Sequence, residues 1–249
     1  MPGREMEVEG IDHIIICVHS VDHGREIFAQ LGFEMTPDGN HLALKSKNSL
    51  AMLDGTYLEV TAPTAPEAFG LRLKTHLQAW GEGFFGLAMR HSDVDAFAQE
   101  PARDWVEAER AVETELLQGI AKFRLCWLPE NTITGASCFL VQHLTPDMLW
   151  HPQLQRHPNQ AHTIETLYLR SDAPFEAAAK LRRALKLPHA SDSTVVMPRN
   201  CVSFLSSAEM AARWGDTATA AIDIISGAAP AMHALFGGRL IMNFKSAES

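Results

Sequence analysis

Two residues in the first sixty positions have side chains and spacing suited to chemistry. His13 stands near the start of an apolar run, "GIDHIIICV" (10–18), and Glu59 stands in "GTYLEVTA" (55–62). Side chains alternate along a strand, so His13, Ile15 and Cys17 share one face of the first run while Ile14, Ile16 and Val18 share the other. In the second run Tyr57 and Glu59 share a face, with Leu58 and Val60 opposite. The wholly apolar faces suit packing under a helix, which leaves His13 and Glu59 both on the helix-free side, where a concave sheet brings them together. A neutral imidazole and a carboxylate are ligands for a divalent ion such as Zn, Fe(II), Mn or Ni.

The elements that position this pair follow a repeating plan. Residues 11–18 read as a strand and 22–31 as a helix with Ile27, Phe28 and Leu31 on one face, stopped by Gly32. Strand-like runs follow at 33–36, 42–53 and 55–62. A second copy begins at Phe84: "FFGLAMRHSDVDAFAQ" repeats the His-Ser and the "FAQ" of the first, and three more strand-like runs follow it. A third begins at His162 with "HTIETLYLRSDAPFEAAAKLRRALKLP", a strand running into an amphipathic helix, diluted by the Ala-rich 208–222 stretch. Repetition of this kind constrains a fold more than single propensities do. The expectation is an α+β chain of βαβββ units: a paired module over 10–146 (units 10–63 and 84–145), a Pro-containing linker over 147–161, and a third, degenerate unit over 162–245.

Composition narrows the functions. The 249 residues carry a formal net charge of −9 and no Lys/Arg cluster, which argues against nucleic acid as partner. No apolar run approaches the ~20 residues that span a bilayer, and "MPGREMEVEG" has no apolar core of a secretion signal. Cys17, Cys126, Cys138 and Cys201 are scattered, as expected of reduced thiols in a cytoplasmic protein. There is no GxSxG, P-loop, dinucleotide fingerprint or HExxH.

Taken in order, "GIDHIIICV", "LGF", "NHLALKSKNSLAML" and "YLEV", followed later by "HPN", resemble the glyoxalase-like domains of the vicinal oxygen chelate superfamily. The likeness runs over most of residues 10–162 and rests on Asp12-His13, His41 with Asn48, Tyr57-Leu58-Glu59 and His157-Pro158-Asn159. It implies a cupped, barrel-like mixed sheet with helices outside, built around a divalent metal that chelates neighbouring oxygens of a substrate. By this resemblance His13 and Glu59 are metal ligands and Glu59 is also catalytic. In the second unit, aligning His91 with His19 puts Phe85 where His13 stands. Gln142 then falls at the position of Glu59 and points inward, with His143 able to take its place only through a bulge. Tyr57, Asn48, His41, Phe85 and Cys17 are the candidate substrate-binding residues. Lys45-Ser46-Lys47 replaces the Gly-Thr usual before the Asn, and Asn159 is expected to bond backbone rather than ligand.

The function implied is a divalent-metal-dependent lyase or isomerase acting on a small oxygen-bearing metabolite, with the metal as Lewis acid. A metal-free protein that sequesters a small molecule in the same cup, lined by Tyr57, Phe85, Trp127 and Phe139, is the alternative. Ring-cleaving dioxygenase chemistry is the second, since a two-His, one-carboxylate triad needs a further inward His and His143 alone is placed for it. A homodimer is the expected assembly.

Overall fold

The computed structural model describes residues 8–99, 104–113 and 116–247. The reading of residues 1–7 as lacking a secretion signal therefore lies outside the described residues. The first sheet comprises β1 (Val8–Cys17), β2 (Gly39–His41), β3 (Ser46–Leu53), β4 (Thr56–Pro63), β5 (Gly83–His91), β6 (Trp105–Glu113), β7 (Gln118–Trp127) and β8 (Ser137–His143). Their order is β2-β3-β4-β1-β5-β8-β7-β6. Within each half the first and last strands pair in parallel, β1 with β4 and β5 with β8, and the halves join through antiparallel β1 and β5. The edge strands β2 and β6 approach each other and nearly close the barrel. At that seam a Cβ on Gly39 would displace the Arg110 guanidinium and Asn48 Oδ1 from where they now lie.

The apolar alternation read from β1 is what the fold uses. Ile14 and Ile16 face the core under α1 (Val21–Gln30), while Ile15 and Cys17 face the concave side. The concave side is not free of helices, however. A helix absent from the sequence reading, α2 (Ala68–Trp80), packs Phe69, Leu73 and Leu77 into the lower cup. Those three residues recur every four positions, the signal of a helical apolar stripe. The expected strand at 33–36 does not form; instead Thr36 exchanges bonds with Leu50, its N–H reaching Leu50 O at 2.8 Å and its Oγ1 accepting from Leu50 N at 3.0 Å.

After α3 (Val94–Ala98) and a 3-10 turn at Pro146–Met148, the chain builds a second sheet. Its strands are β9 (Ala161–Arg170), β10 (Thr194–Val196), β11 (Cys201–Leu205), β12 (Ala220–Ser226), β13 (Ala231–Leu235) and β14 (Leu240–Ser246), in the order β10-β11-β9-β12-β14-β13. Parallel β9–β11, antiparallel β9–β12 and parallel β12–β14 repeat the pairing scheme of the first sheet. Both halves of this sheet come from the stretch expected as a third unit. Helices α4 (Pro174–Ala184) and α5 (Ser207–Trp214) complete it. One apolar core joins the outer face of the first sheet to Ile164, Leu167, Ile222 and Met242 of the second. Among the described residues no helix is long and apolar enough to cross a membrane.

The connector between the sheets is pinned by the "HPN" residues. His157 Nδ1 accepts from Glu34 N at 3.0 Å, so its proton sits on Nε2, which donates to Met52 O at 2.7 Å. Asn159 Nδ2 donates to Leu31 O at 2.8 Å and its Oδ1 accepts from Ala161 N at 2.9 Å. These bonds to backbone hold the first unit's helix end and β3 against the start of β9.

Candidate functional site

The parallel register of β1 and β4 sets Ile15 opposite Glu59 and His13 opposite Tyr57. With alternation, His13, Tyr57 and Glu59 then face the cup together. Tyr57 stacks on the His13 ring at 4.4 Å between centroids. They line a cavity of about 60 Å3 whose walls include Phe69, Phe123, Trp127 and Phe139.

Behind His13 lies the wholly buried Asp12. Its Oδ1 accepts from His13 Nδ1 at 2.8 Å, and its Oδ2 accepts from His143 Nε2 at 2.7 Å and Arg90 Nε at 2.8 Å. Arg90 Nη2 lies equally close, at 2.8 Å, but only Nε is aligned to donate. Burial alone would raise the Asp12 pKa. The imidazoles of His143 and His13 outweigh it and hold the carboxyl well below the usual carboxylate range. A carboxylate can only accept, so both imidazoles present N–H groups to it. This fixes His13 with Nδ1 protonated and Nε2 facing Glu59 Oε2 at 3.4 Å.

Glu59 is held from the other side. Asn48 Nδ2 donates to Glu59 Oε1 at 2.8 Å and lies 3.0 Å from His41 Nε2. The amide orientation follows from the carboxylate, which needs a donor, and it leaves Asn48 Oδ1 buried without a partner among the described residues. Burial lowers the pKa of His41, opposed by Glu59 and reinforced by Arg110 and His13.

Of the candidate residues, the fold gathers His13, His41, Asn48, Tyr57 and Glu59 around the cavity. Cys17 and Phe85 lie deeper. Cys17 sits beneath α2 with Sγ 3.7 Å from Leu73 O, and burial pushes its thiol up to about 12. Phe85 packs on Phe69 and His76.

The inward residue of β8 is His143, not Gln142. Phe139 and Val141 face the cup and Cys138 and Leu140 face the core between the sheets, so His143 points in without any bulge in its own strand. Gln142 points away, accepting from Val94 N at 3.2 Å and donating to Ser92 O at 2.8 Å. The pairing of β1 with β5 is irregular at Glu9 and Asp12 in β1 and at Phe85 in β5. Ile15 pairs with Gly86 and Ile16 with Phe84, which makes Phe85 an extra residue. Any alignment of the two units by a constant offset therefore inverts the faces beyond it. Across the sheet His13 pairs with Ala88.

Sequence reasoning also missed Arg90 and Arg110. Arg110 shares its face of β6 with Ala108, which lines the same cavity. The signal was a lone cation within "WVEAERAVE", on the less acidic face of the alternation.

By the resemblance to glyoxalase-like domains His13 and Glu59 are ligands of a divalent ion, and such an ion sets the number and spacing of its donors. Two ligands each about 2.1 Å from one ion stand roughly 3.4 Å apart, and His13 Nε2 and Glu59 Oε2 meet that spacing. A catalytic ion normally takes three protein donors. His143 Nε2 is committed to Asp12, and His41 is separated from Glu59 by the Asn48 amide. Among the described residues no group of three His, Cys, Asp or Glu side chains can hold an ion. The donor set as arranged does not fit a resident three-ligand metal.

No curated protein matches the chain. A hypothetical protein from Staphylococcus aureus, known from its crystal structure, is similar over 95% of this chain and 99% of its own, at 16% identity and a TM-score of 0.70. It shares the fold. Methylmalonyl-CoA epimerase from Streptomyces coelicolor, solved as a single-substitution variant in complex with 2-nitronate-propionyl-CoA, is similar over 54% of this chain and 97% of its own (23% identity, TM-score 0.42). The methylmalonyl-CoA epimerase from Mycobacterium tuberculosis covers 56% of this chain and 91% of its own (20% identity, TM-score 0.43). The glyoxalase-like domain family profile matches residues 11–185, which takes in all of the first sheet but the first three residues of β1, and the connector. The chain belongs to the glyoxalase-like domain family.

Proposed function

We propose that the cup is a proton-transfer centre, a lyase or isomerase for a small oxygen-bearing metabolite, in which Glu59 and His13 move the proton. The observation that supports this most is His13 held by buried Asp12 at Nδ1 while Nε2 faces Glu59 at 3.4 Å. Nε2 and Oε2 flank one region of the cup, from which either can exchange a proton with a substrate oxygen or carbon. Asp12 keeps the His13 ring and tautomer fixed. Asn48 anchors Glu59 Oε1, which leaves Oε2 as the oxygen that takes or gives the proton. Aromatic walls line the site of this exchange. A cavity of about 60 Å3 is small beside the several hundred Å3 of drug-sized sites and suits a ligand of few heavy atoms.

The aromatic lining of Tyr57, Phe123, Trp127 and Phe139 supports a second reading, a protein that binds and withholds its ligand without turning it over. Solvent exchange separates the two. Small 2-oxo and 2-hydroxy acids are incubated with the protein in D2O and followed by NMR, using wild type, Glu59→Gln and His13→Ala. The metal content of the same preparations, purified without chelator or histidine tag, is measured by mass spectrometry. The expected result is exchange of protons next to the carbonyl or hydroxyl carbon, slowed ~100-fold or more in Glu59→Gln. Binding without exchange leaves the second reading standing. Exchange that requires one bound metal per chain overturns proton transfer by His13 and Glu59 alone.

A further inference from the structure

Arg110 differs from the other arginines that the fold encloses. It is 7% exposed and borders both the cavity that holds His13 and Glu59 and a smaller one of about 20 Å3 beside Thr36 and Met148. Among the described residues no carboxylate forms an ion pair with it, and its Nε is buried without a hydrogen-bond partner. Arg90 is paired with Asp12. Arg182, 6% exposed, is held by the Asp192 side chain and by the carbonyls of Ala190, Asp192 and Thr194. Beside Arg110, against the same Gly39, lies the unpartnered Asn48 Oδ1. A buried guanidinium without an anion is unfavourable. Burial lowers the pKa of Arg110, and Tyr57 and Glu59 offset this only in part. Among the described residues none supplies the missing anion.

We propose that Arg110 receives the carboxylate of the ligand, so that the site takes small carboxylic acids, and that Asn48 Oδ1 accepts from a hydroxyl on the same molecule. The planar guanidinium fork matches a carboxylate in two parallel hydrogen bonds. A single carboxylate charge is favoured over phosphate because the cavity is small and largely apolar, and burying a dianion there is far less favourable. With the carboxylate on β6 across the cup from β4, the oxygen-bearing carbon of a 2-hydroxy acid lies toward Glu59 and His13. The inference rests on reading this cavity as the ligand site, but not on the ligand being turned over.

The test measures binding. Lactate and glycolate are titrated into wild type, Arg110→Met, Arg110→Lys and Glu59→Gln, with lactamide and inorganic phosphate as controls. Thermal unfolding and calorimetry are the readouts. Lactate or glycolate is expected to raise the wild-type Tm while lactamide and phosphate do not. Arg110→Met is expected to unfold at a higher temperature than wild type without ligand, because an unpaired charge is removed, and to bind the acids ~10- to 100-fold more weakly. Arg110→Lys keeps the charge and loses the fork, and is expected to bind ~10-fold more weakly even if Arg110→Met fails to fold. Glu59→Gln should retain the response to the acids, which separates this inference from proton transfer. Wild type unmoved by both acids, equal responses to phosphate or lactamide, or unchanged affinity in the Arg110 variants would each overturn it.

Discussion

Replacing Asp12 by Asn tests the centre of the site with little change of shape. The carboxylate has no exposed surface and serves three donors, His13 Nδ1, His143 Nε2 and Arg90 Nε. An amide has one accepting oxygen and one donating nitrogen. The least damaging orientation keeps the oxygen on Arg90 and His143 and turns the NH2 toward His13. His13 must then accept at Nδ1, which moves its proton to Nε2 and points a donor at Glu59. Arg90 also loses its counter-charge. Removing one partner of a buried ion pair costs about 3–5 kcal/mol. Arg90 keeps 15% of its side chain exposed and stacks on Trp150 at 4.7 Å, so the lower end, about 3 kcal/mol, applies. For a chain of this size that is a Tm decrease of roughly 6–12 °C. Urea denaturation gives the stability change, and 15N-detected histidine NMR gives the tautomer of His13. A loss below about 1 kcal/mol, or a His13 that keeps its proton on Nδ1, would refute the network as described.

Three other expectations follow from buried groups. Burial lowers the pKa values of His41, His91 and His157, and that of His76 to about 4. These histidines stay neutral in the fold while the unfolded chain protonates. Stability should therefore fall as pH drops below about 6.5, by up to ~1.4 kcal/mol per pH unit for each histidine. The Asp12 contribution, present above the unfolded carboxylate value of about 3.9, fades only below it, so a pH series of urea midpoints should show two successive declines. His157→Ala removes the acceptor for Glu34 N and the donor to Met52 O. It should lower stability by about 2 kcal/mol without altering ligand affinity, since His157 lies outside the cavity lining. Finally, Cys201 is partly exposed while Cys17, Cys126 and Cys138 are buried, and burial raises the Cys17 and Cys138 thiols. A thiol reagent should modify Cys201 first and the other three only after denaturant is added.

The sequence by itself determined the parts that depend on local alternation. The apolar face of "HIIICV", the helix stopped at Gly32 and the shared side of His13 and Glu59 all follow from period-two and period-3.6 patterns, and the fold uses them so. Asp12-His13, "YLE" and "HPN" stood in the order of a known family, and that family is the one matched. Tertiary structure decided the rest. Which of Gln142 and His143 turns inward depends on the extra residue Phe85, and both faces of β8 are apolar, so alternation within β8 carries no information about its orientation. That α2 fills the lower cup depends on which sheet surface its stripe meets. Arg110 becomes a buried cation whose Nε has no partner among the described residues because β6 closes on β2 from the far edge of an eight-stranded sheet. A side chain's neighbours along the chain do not specify its neighbours across a barrel seam, and the charge balance of this cup is settled at that seam.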